Sequence, residues 1–521
     1  MNSKNNKYAV KISDLKENEP KRVTIDEEDI LLIKSGNQFY AYGNSCPHYG
    51  APLTEGYVSG REITCPLHNA RFSFRDGKMI TPPALDDLTQ YEISVKDDEV
   101  IIGSKLITST QKPARGKESE TYIIVGGGAA GNAAAETLRK KGFQGKVTLI
   151  TSEKDGPYDR TILSKEFIAG SAEPEWLPLR SPEFYSEHSI DLVTDVRVTD
   201  IDTEKKYITT AAGDRLRFDK CLLATGAVPK TIPVPGGGLK NIFPLRSFRD
   251  ASLINAALDK AGEVLIAGAG FIGLEIAASL QERGIKVRIA APGMIPMVKI
   301  FGEEIGLYLK RIHEEKGIIF HLGNTISEFR GNDKVNSAVL SDGQVVKTDL
   351  VIIAVGVKPA VEYLKNTHLL ESGAVAVNSQ LMTKADSVFA AGDIAAVPHP
   401  FTSELYRTEH WVVAERQGLH AAKSMLGDKN PYKEVPFFWT RQYERSLKFI
   451  GYNKPFDRIE LRGSIDDETF LTGYYSGDTL NAAASMGMGA ELNALERILA
   501  LGNSVTPEQF RDQKFDFSLS S

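Results

Sequence analysis

Tyr122-Ile-Ile-Val125-Gly126-Gly-Gly128-Ala-Ala-Gly131 is the stretch that decides the architecture of most of this chain. Its apolar residues predict a buried strand. The glycines predict a tight turn into an alanine-rich amphipathic segment that runs to Lys141. A second apolar run, Val147-Thr-Leu-Ile150, ends shortly before Glu153. Strand, Gly-rich turn, helix, strand and acid, in that order, are the fingerprint of a dinucleotide-binding unit. Gly126, Gly128 and Gly131 let the backbone turn sharply and approach a pyrophosphate. The helix start offers that pyrophosphate N–H groups, and Glu153 is placed for ribose hydroxyls.

The pattern recurs downstream. Val264-Leu-Ile-Ala267 leads into Gly268, Gly270 and Gly273, then a helix through Gln281 and a strand at Val287-Arg-Ile289. One such loop is weak support, but two, each after an apolar strand, predict two bound dinucleotides. Apolar strands running into glycine punctuate the remainder: Leu222-Leu-Ala-Thr225-Gly226, Val351-Ile-Ile-Ala-Val-Gly356-Val-Lys-Pro359, and Val388-Phe-Ala-Ala-Gly392-Asp393. Asp393 has an ordinary reading as a turn residue as well as a functional one.

Upstream, Cys46-Pro47-His48 and Cys65-Pro66-Leu67-His68 each pair one cysteine with one histidine, separated by sixteen residues. Two thiolates and two imidazoles split this way suit a [2Fe–2S] centre with sulfur on one iron and nitrogen on the other. The competing reading is a structural Cys2His2 zinc site. Those ligands usually come as a cysteine pair followed by a histidine pair, and no proline need follow each cysteine. The third cysteine, Cys221, lies in an apolar run and reads as a small buried hydrophobe.

The segments Cys46–Leu53 and Cys65–Phe72 resemble Rieske-type ferredoxins over about the first hundred residues. Gly usually follows the second histidine in that family, whereas this chain has Asn69, a residue that tolerates a left-handed turn. The chain lacks the extra cysteine pair of the high-potential respiratory Rieske proteins, which implies the lower-potential ferredoxin class. Residues 120–430 resemble the flavin-dependent pyridine-nucleotide oxidoreductases, with FAD expected in the first unit, NADH or NADPH in the second, and Asp393 on the flavin side.

Pro157-Tyr-Asp-Arg160-Thr-Ile-Leu-Ser-Lys165 resembles the oxygenase-coupled ferredoxin reductases and apoptosis-inducing factor. That resemblance implies Lys165 and Glu275 as a pair beside the flavin, and Arg160 among the FAD contacts. It also implies Glu409 and His410 near the nicotinamide, and Trp439 of Phe-Phe-Trp439-Thr by the flavin. Trp411 and Trp439 have an alternative reading as core residues. Taken whole, the chain is similar to the Rieske-bearing, apoptosis-inducing-factor-3-like group. No Cys-x2-Cys or Cys-x4-Cys is present, so a redox disulfide is excluded. The end of the second unit's second strand, Ala290-Ala-Pro292-Gly293, carries neither an acid nor a basic residue to choose between NADH and NADPH; the family leans to NADH.

The expected fold is multidomain: an all-β cluster domain (1–106), a linker (107–119), α/β FAD-binding segments (120–243 and 373–432) around a NAD(P)H-binding domain (244–372), and an α+β C-terminal interface domain (433–521). Extended, the linker spans at most about 45 Å, so the cluster is tethered close to the flavin unit. A net charge of −6 with no basic stripe argues against nucleic acid. No apolar run is long enough to span a bilayer, no signal peptide is visible, and three cysteines suit a reducing cytoplasm.

The expected activity passes electrons from the nicotinamide through FAD to the [2Fe–2S] cluster. The His48 and His68 face then delivers them to an acceptor, protein or small molecule, that the sequence does not name. The alternative is an NADH-gated sensor that signals through a charge-transfer complex and a change of oligomeric state, with a homodimer formed through the C-terminal domain.

Overall fold

The first glycine-rich unit builds a five-stranded parallel sheet in the order Ile190–Val193, Lys146–Ile150, Thr121–Val125, Lys220–Leu223, Val388–Ala390. These assignments come from a computed structural model that describes residues 8–106 and 114–517. Helix Ala129–Lys140 packs on the sheet and against helix Trp411–Met425. The four strands inside the Ile190–Val193 edge are buried on both faces, which is why they read as near-continuous apolar runs with little alternation. Cys221 sits in this core, fully buried, and burial pushes its thiol pKa up.

The second unit repeats the plan as a parallel sheet in the order Ile242–Pro244, Leu350–Ile353, Glu263–Ala267, Lys286–Ala291, Ile319–Leu322. Both ends of this unit lie earlier than expected. Its edge strand already begins at Ile242. The chain returns to the first unit before residue 373: Val357–Pro359 pairs antiparallel with Ala227–Pro229, and Tyr363, Leu364 and Leu369 are buried in the first unit's core. The Gly-Val-Lys-Pro segment is thus a strand of a two-stranded ribbon joining the two units, a pairing that sequence periodicity does not report.

The C-terminal region is an antiparallel sheet in the order Phe437–Gln442, Arg445–Gly451, Thr479–Met486, Thr469–Ser476, Arg458–Ser464. Helices Gly489–Ala500 and Pro507–Arg511 cover it. The N-terminal region is all β, with two three-stranded sheets and one four-stranded sheet. Cys46 and Cys65 are buried in its core beside Phe72 and Phe74. Of the expected linker, residues 107–113 lie outside the described residues. Among the described residues no helix is long and apolar enough to cross a membrane.

Candidate functional site

Two loops of matching design present the cysteines and histidines. In the first, the Cys46 N–H donates to the Ala51 carbonyl (2.9 Å) and the Gly50 N–H to the Cys46 carbonyl (2.9 Å). In the second, the Cys65 N–H donates to Ala70 (2.8 Å) and the Asn69 N–H to Cys65 (3.3 Å). Gly50 and Asn69 hold the same place in the two turns, both left-handed, with φ of 74° and 63°. Asn accepts that conformation more readily than other side-chain-bearing residues, so the turn survives the loss of glycine.

The loops bring the four side chains together. Cys46 and Cys65 are both buried, and their thiols lie close enough to shift each other's proton affinity. That proximity, with the N–H groups of Leu67 and His68 toward its sulfur, lowers the Cys65 thiol pKa; the same proximity and burial raise that of Cys46. The Nδ1 atoms of His48 and His68 face each other at 3.0 Å. Burial lowers the His48 pKa to about 4 and the His68 pKa to about 2, so both imidazoles are neutral and free to ligate at physiological pH. The donors form one sulfur pair and one nitrogen pair. Two pairs fit a [2Fe–2S] cluster better than a tetrahedral zinc.

The direction of this site corrects the sequence reading. His48 and His68 were expected to face an external acceptor; they face the rest of the chain. The Tyr49 hydroxyl donates to Asp159 Oδ2 (2.7 Å) in the first dinucleotide unit. Lys448 donates to the Pro66 carbonyl, and Asn69 reaches Asn493 and Glu496 on the C-terminal helix. The His68 ring lies 4.2 Å from the Trp439 ring, tilted 41°. Nothing in the local pattern of a cluster loop shows which other domain its tip will meet.

On the reductase side, Gly128 caps helix Ala129–Lys140 with open space where a Cβ would stand, and a Cβ on Gly131 would lie 1.8 Å from the Gly126 carbonyl oxygen. The second unit repeats this: Gly270 is open, and a Cβ on Gly273 would lie 2.1 Å from the Gly268 oxygen. These are cradles that only glycine leaves free for phosphate. Gly356, at φ 92°, precedes the joining ribbon.

Glu153 accepts from the Tyr158 hydroxyl (2.6 Å) and from Arg160 (2.5 Å). Asp393 is buried and accepts from Arg246 Nη2 (2.8 Å), a partner the sequence did not suggest. Lys165 sits at a kink, with φ −116° and ψ −107°, and pairs with Glu275 at 2.9 Å. Glu275 is held from two further sides by the hydroxyls of Ser164 (2.5 Å) and Thr440 (2.7 Å). Glu409 and His410 do not contact each other as a pair. Glu409 is bound to Arg407, while His410 stacks on Phe438 at 4.0 Å. Trp411 packs against the first unit's core.

Strand Phe437–Gln442 brings these groups together. Trp439 on one face meets His68; Phe438 and Thr440 on the other meet His410 and Glu275. Lys165 is also close enough for its charge to oppose protonation of His68.

Family comparison agrees with this layout. Residues 120–418 match the pyridine nucleotide-disulphide oxidoreductase model, residues 5–92 the Rieske [2Fe-2S] domain and residues 437–519 the reductase C-terminal domain. The chain is 32% identical to human apoptosis-inducing factor 3 over 95% of its own length and 84% of that protein. It is 31% identical to rhodocoxin reductase of Rhodococcus erythropolis, over 77% of this chain and 94% of the relative. Among solved structures, a ferredoxin reductase from Rhodopseudomonas palustris superposes with a TM-score of 0.74 at 32% identity, covering 77% of this chain and 99% of its own. The covalent putidaredoxin reductase–putidaredoxin complex gives 0.74 at 28% identity, with 77% and 98% covered.

Proposed function

Because the chain belongs to the pyridine nucleotide-disulphide oxidoreductase family, with a Rieske [2Fe–2S] domain ahead of the reductase and a reductase C-terminal domain behind it, we propose that it carries electrons from NADH through FAD to its own cluster and on to an external acceptor. When bound, FAD would supply the conversion between the two-electron chemistry of NADH and the one-electron chemistry of an iron–sulfur centre. In this reading Gly126, Gly128, Gly131, Glu153, Arg160 and Asp393 hold FAD. Gly268, Gly270, Gly273 and Gly356 take the nicotinamide nucleotide, with Glu409 and His410 bordering it.

Lys165 supplies a fixed positive charge on the flavin side. Glu275, Ser164 and Thr440 prevent that charge from wandering. Cys46, Cys65, His48 and His68 hold the cluster. The observation that carries the reading is strand Phe437–Gln442, which touches a cluster ligand through Trp439 and the Lys165–Glu275 pair through the adjacent Thr440. One relative is named as a ferredoxin–NAD(+) reductase component and another is solved in covalent complex with putidaredoxin; in this reading the fused domain takes the place of such a separate partner. Covalent attachment raises the effective concentration of acceptor at the flavin.

The test is an anaerobic NADH titration followed by visible absorbance and electron paramagnetic resonance. The reading expects the flavin to bleach and the reduced-cluster signal to appear with no added mediator. Flavin bleaching without a cluster signal overturns the internal route. Slow turnover together with NADH-dependent dimerisation would instead favour the sensor role.

A further inference from the structure

We infer that Asn69 is a positioning residue for internal electron transfer: its side chain pins the cluster loop to the reductase with the histidines facing inward. The inference rests on the proposed route from flavin to cluster. Its starting point is the place of Asn69 in the turn, where Gly50 serves in the sister loop. Backbone conformation alone gives no reason for a side chain there.

The side chain is fully engaged. Asn69 is 1% exposed. Its Nδ2 donates to Asn493 Oδ1 (3.0 Å) and Glu496 Oε2 (2.7 Å), both on helix Gly489–Ala500. Its Oδ1 accepts from Arg416 Nη2, and the same nitrogen donates to its backbone carbonyl (3.0 Å). One amide therefore joins the cluster loop to two other domains, using both of its donor hydrogens and its acceptor.

The reductase depends on the contact in return. The Arg416 side chain is 0% exposed, and Nη1 is satisfied by Glu496 (3.2 Å) and the Val435 carbonyl (3.2 Å). Among the described residues Nη2 finds its acceptors in Asn69 alone. Pulling the loop away leaves a buried guanidinium short of acceptors, which is costly. A glycine at this position would keep the turn and lose the side-chain contacts, so Asn69→Gly separates conformation from docking.

Three measurements on the full-length protein test this. Hydrogen–deuterium exchange reports on helix Gly489–Ala500, stopped-flow mixing with NADH times flavin and cluster bleaching separately, and paramagnetic resonance reports the cluster. Asn69→Gly is expected to leave the cluster signal and the flavin step unchanged. Cluster bleaching slows and exchange in the helix quickens, each by about tenfold, which corresponds to ~1.4 kcal/mol of lost docking. Asn493→Ala leaves the cluster loop untouched and is expected to shift the same two readouts in the same direction, with the double variant less than additive.

Unchanged bleaching and exchange in Asn69→Gly overturns the inference. So does loss of the cluster in that variant, which would assign Asn69 to the turn itself. A wild-type cluster that NADH never reduces defeats the electron route, and the exchange arm then still decides whether Asn69 docks the loop.

Discussion

Trp439 lies on strand Phe437–Gln442 with its ring against His68, and the adjacent Thr440 hydrogen-bonds Glu275 of the Lys165–Glu275 pair. Replacing Trp439 with alanine should slow cluster bleaching in single-turnover mixing while leaving NADH-to-flavin transfer intact, and phenylalanine should restore part of the rate. Equal slowing of both steps would place Trp439 elsewhere in the mechanism. Glu275 makes a different prediction. It is buried and partners a Lys165 whose side chain is only 12% exposed. Glu275→Ala leaves that ammonium without its counter-charge and should lower stability by about 3–5 kcal/mol in a denaturant titration. At this scale the sequence was informative where chemistry demands a residue type. Cys46, His48, Cys65 and His68 stood out by spacing, and Lys165 and Glu275 through family motifs. Arg246, Ser164 and Thr440 were not legible, because a single hydroxyl or guanidinium supporting a carboxylate leaves no pattern in the chain.

Elements explain why those residues meet. The turn after strand Thr121–Val125 leaves no room for a Cβ at Gly131, so Gly131→Ala should yield protein without its yellow chromophore; retention of stoichiometric FAD would contradict that geometry. Helix Val298–Glu314 ties the second unit to the C-terminal sheet through His313, fully buried between Gln442 (2.9 Å) and the Tyr443 hydroxyl (3.1 Å). Burial lowers its pKa from 6.5 to about 4. Between those values the imidazole is neutral when folded and charged when unfolded, so the unfolded state binds the extra proton. Its contribution is therefore full above pH 6.5 and is lost as pH falls toward about 4, on the order of 3 kcal/mol in all. His313→Gln should flatten the stability-versus-pH curve in that window. An unchanged slope would show that other groups set it. The two glycine-rich units were readable because turn, helix and flanking strands are contiguous. The joining ribbon was missed because its strands, Ala227–Pro229 and Val357–Pro359, are short and far apart in sequence.

The assembly of the whole chain is where sequence reading stopped. Domain order followed from motifs, but the orientation of the cluster domain depends on contacts such as Tyr49–Asp159, Arg71–Glu434 and Arg180–Asp86, each between distant segments. Those contacts set the histidine-bearing loops against the rest of the chain, with His68 beside Trp439. The central claim is that flavin and cluster communicate inside one chain. The most direct measurement is the rate of cluster bleaching after anaerobic mixing with NADH, taken over a wide range of protein concentrations. The account predicts a first-order rate that does not change with dilution; a rate that falls in proportion to protein concentration, or a cluster that stays oxidised while the flavin is reduced, would contradict it.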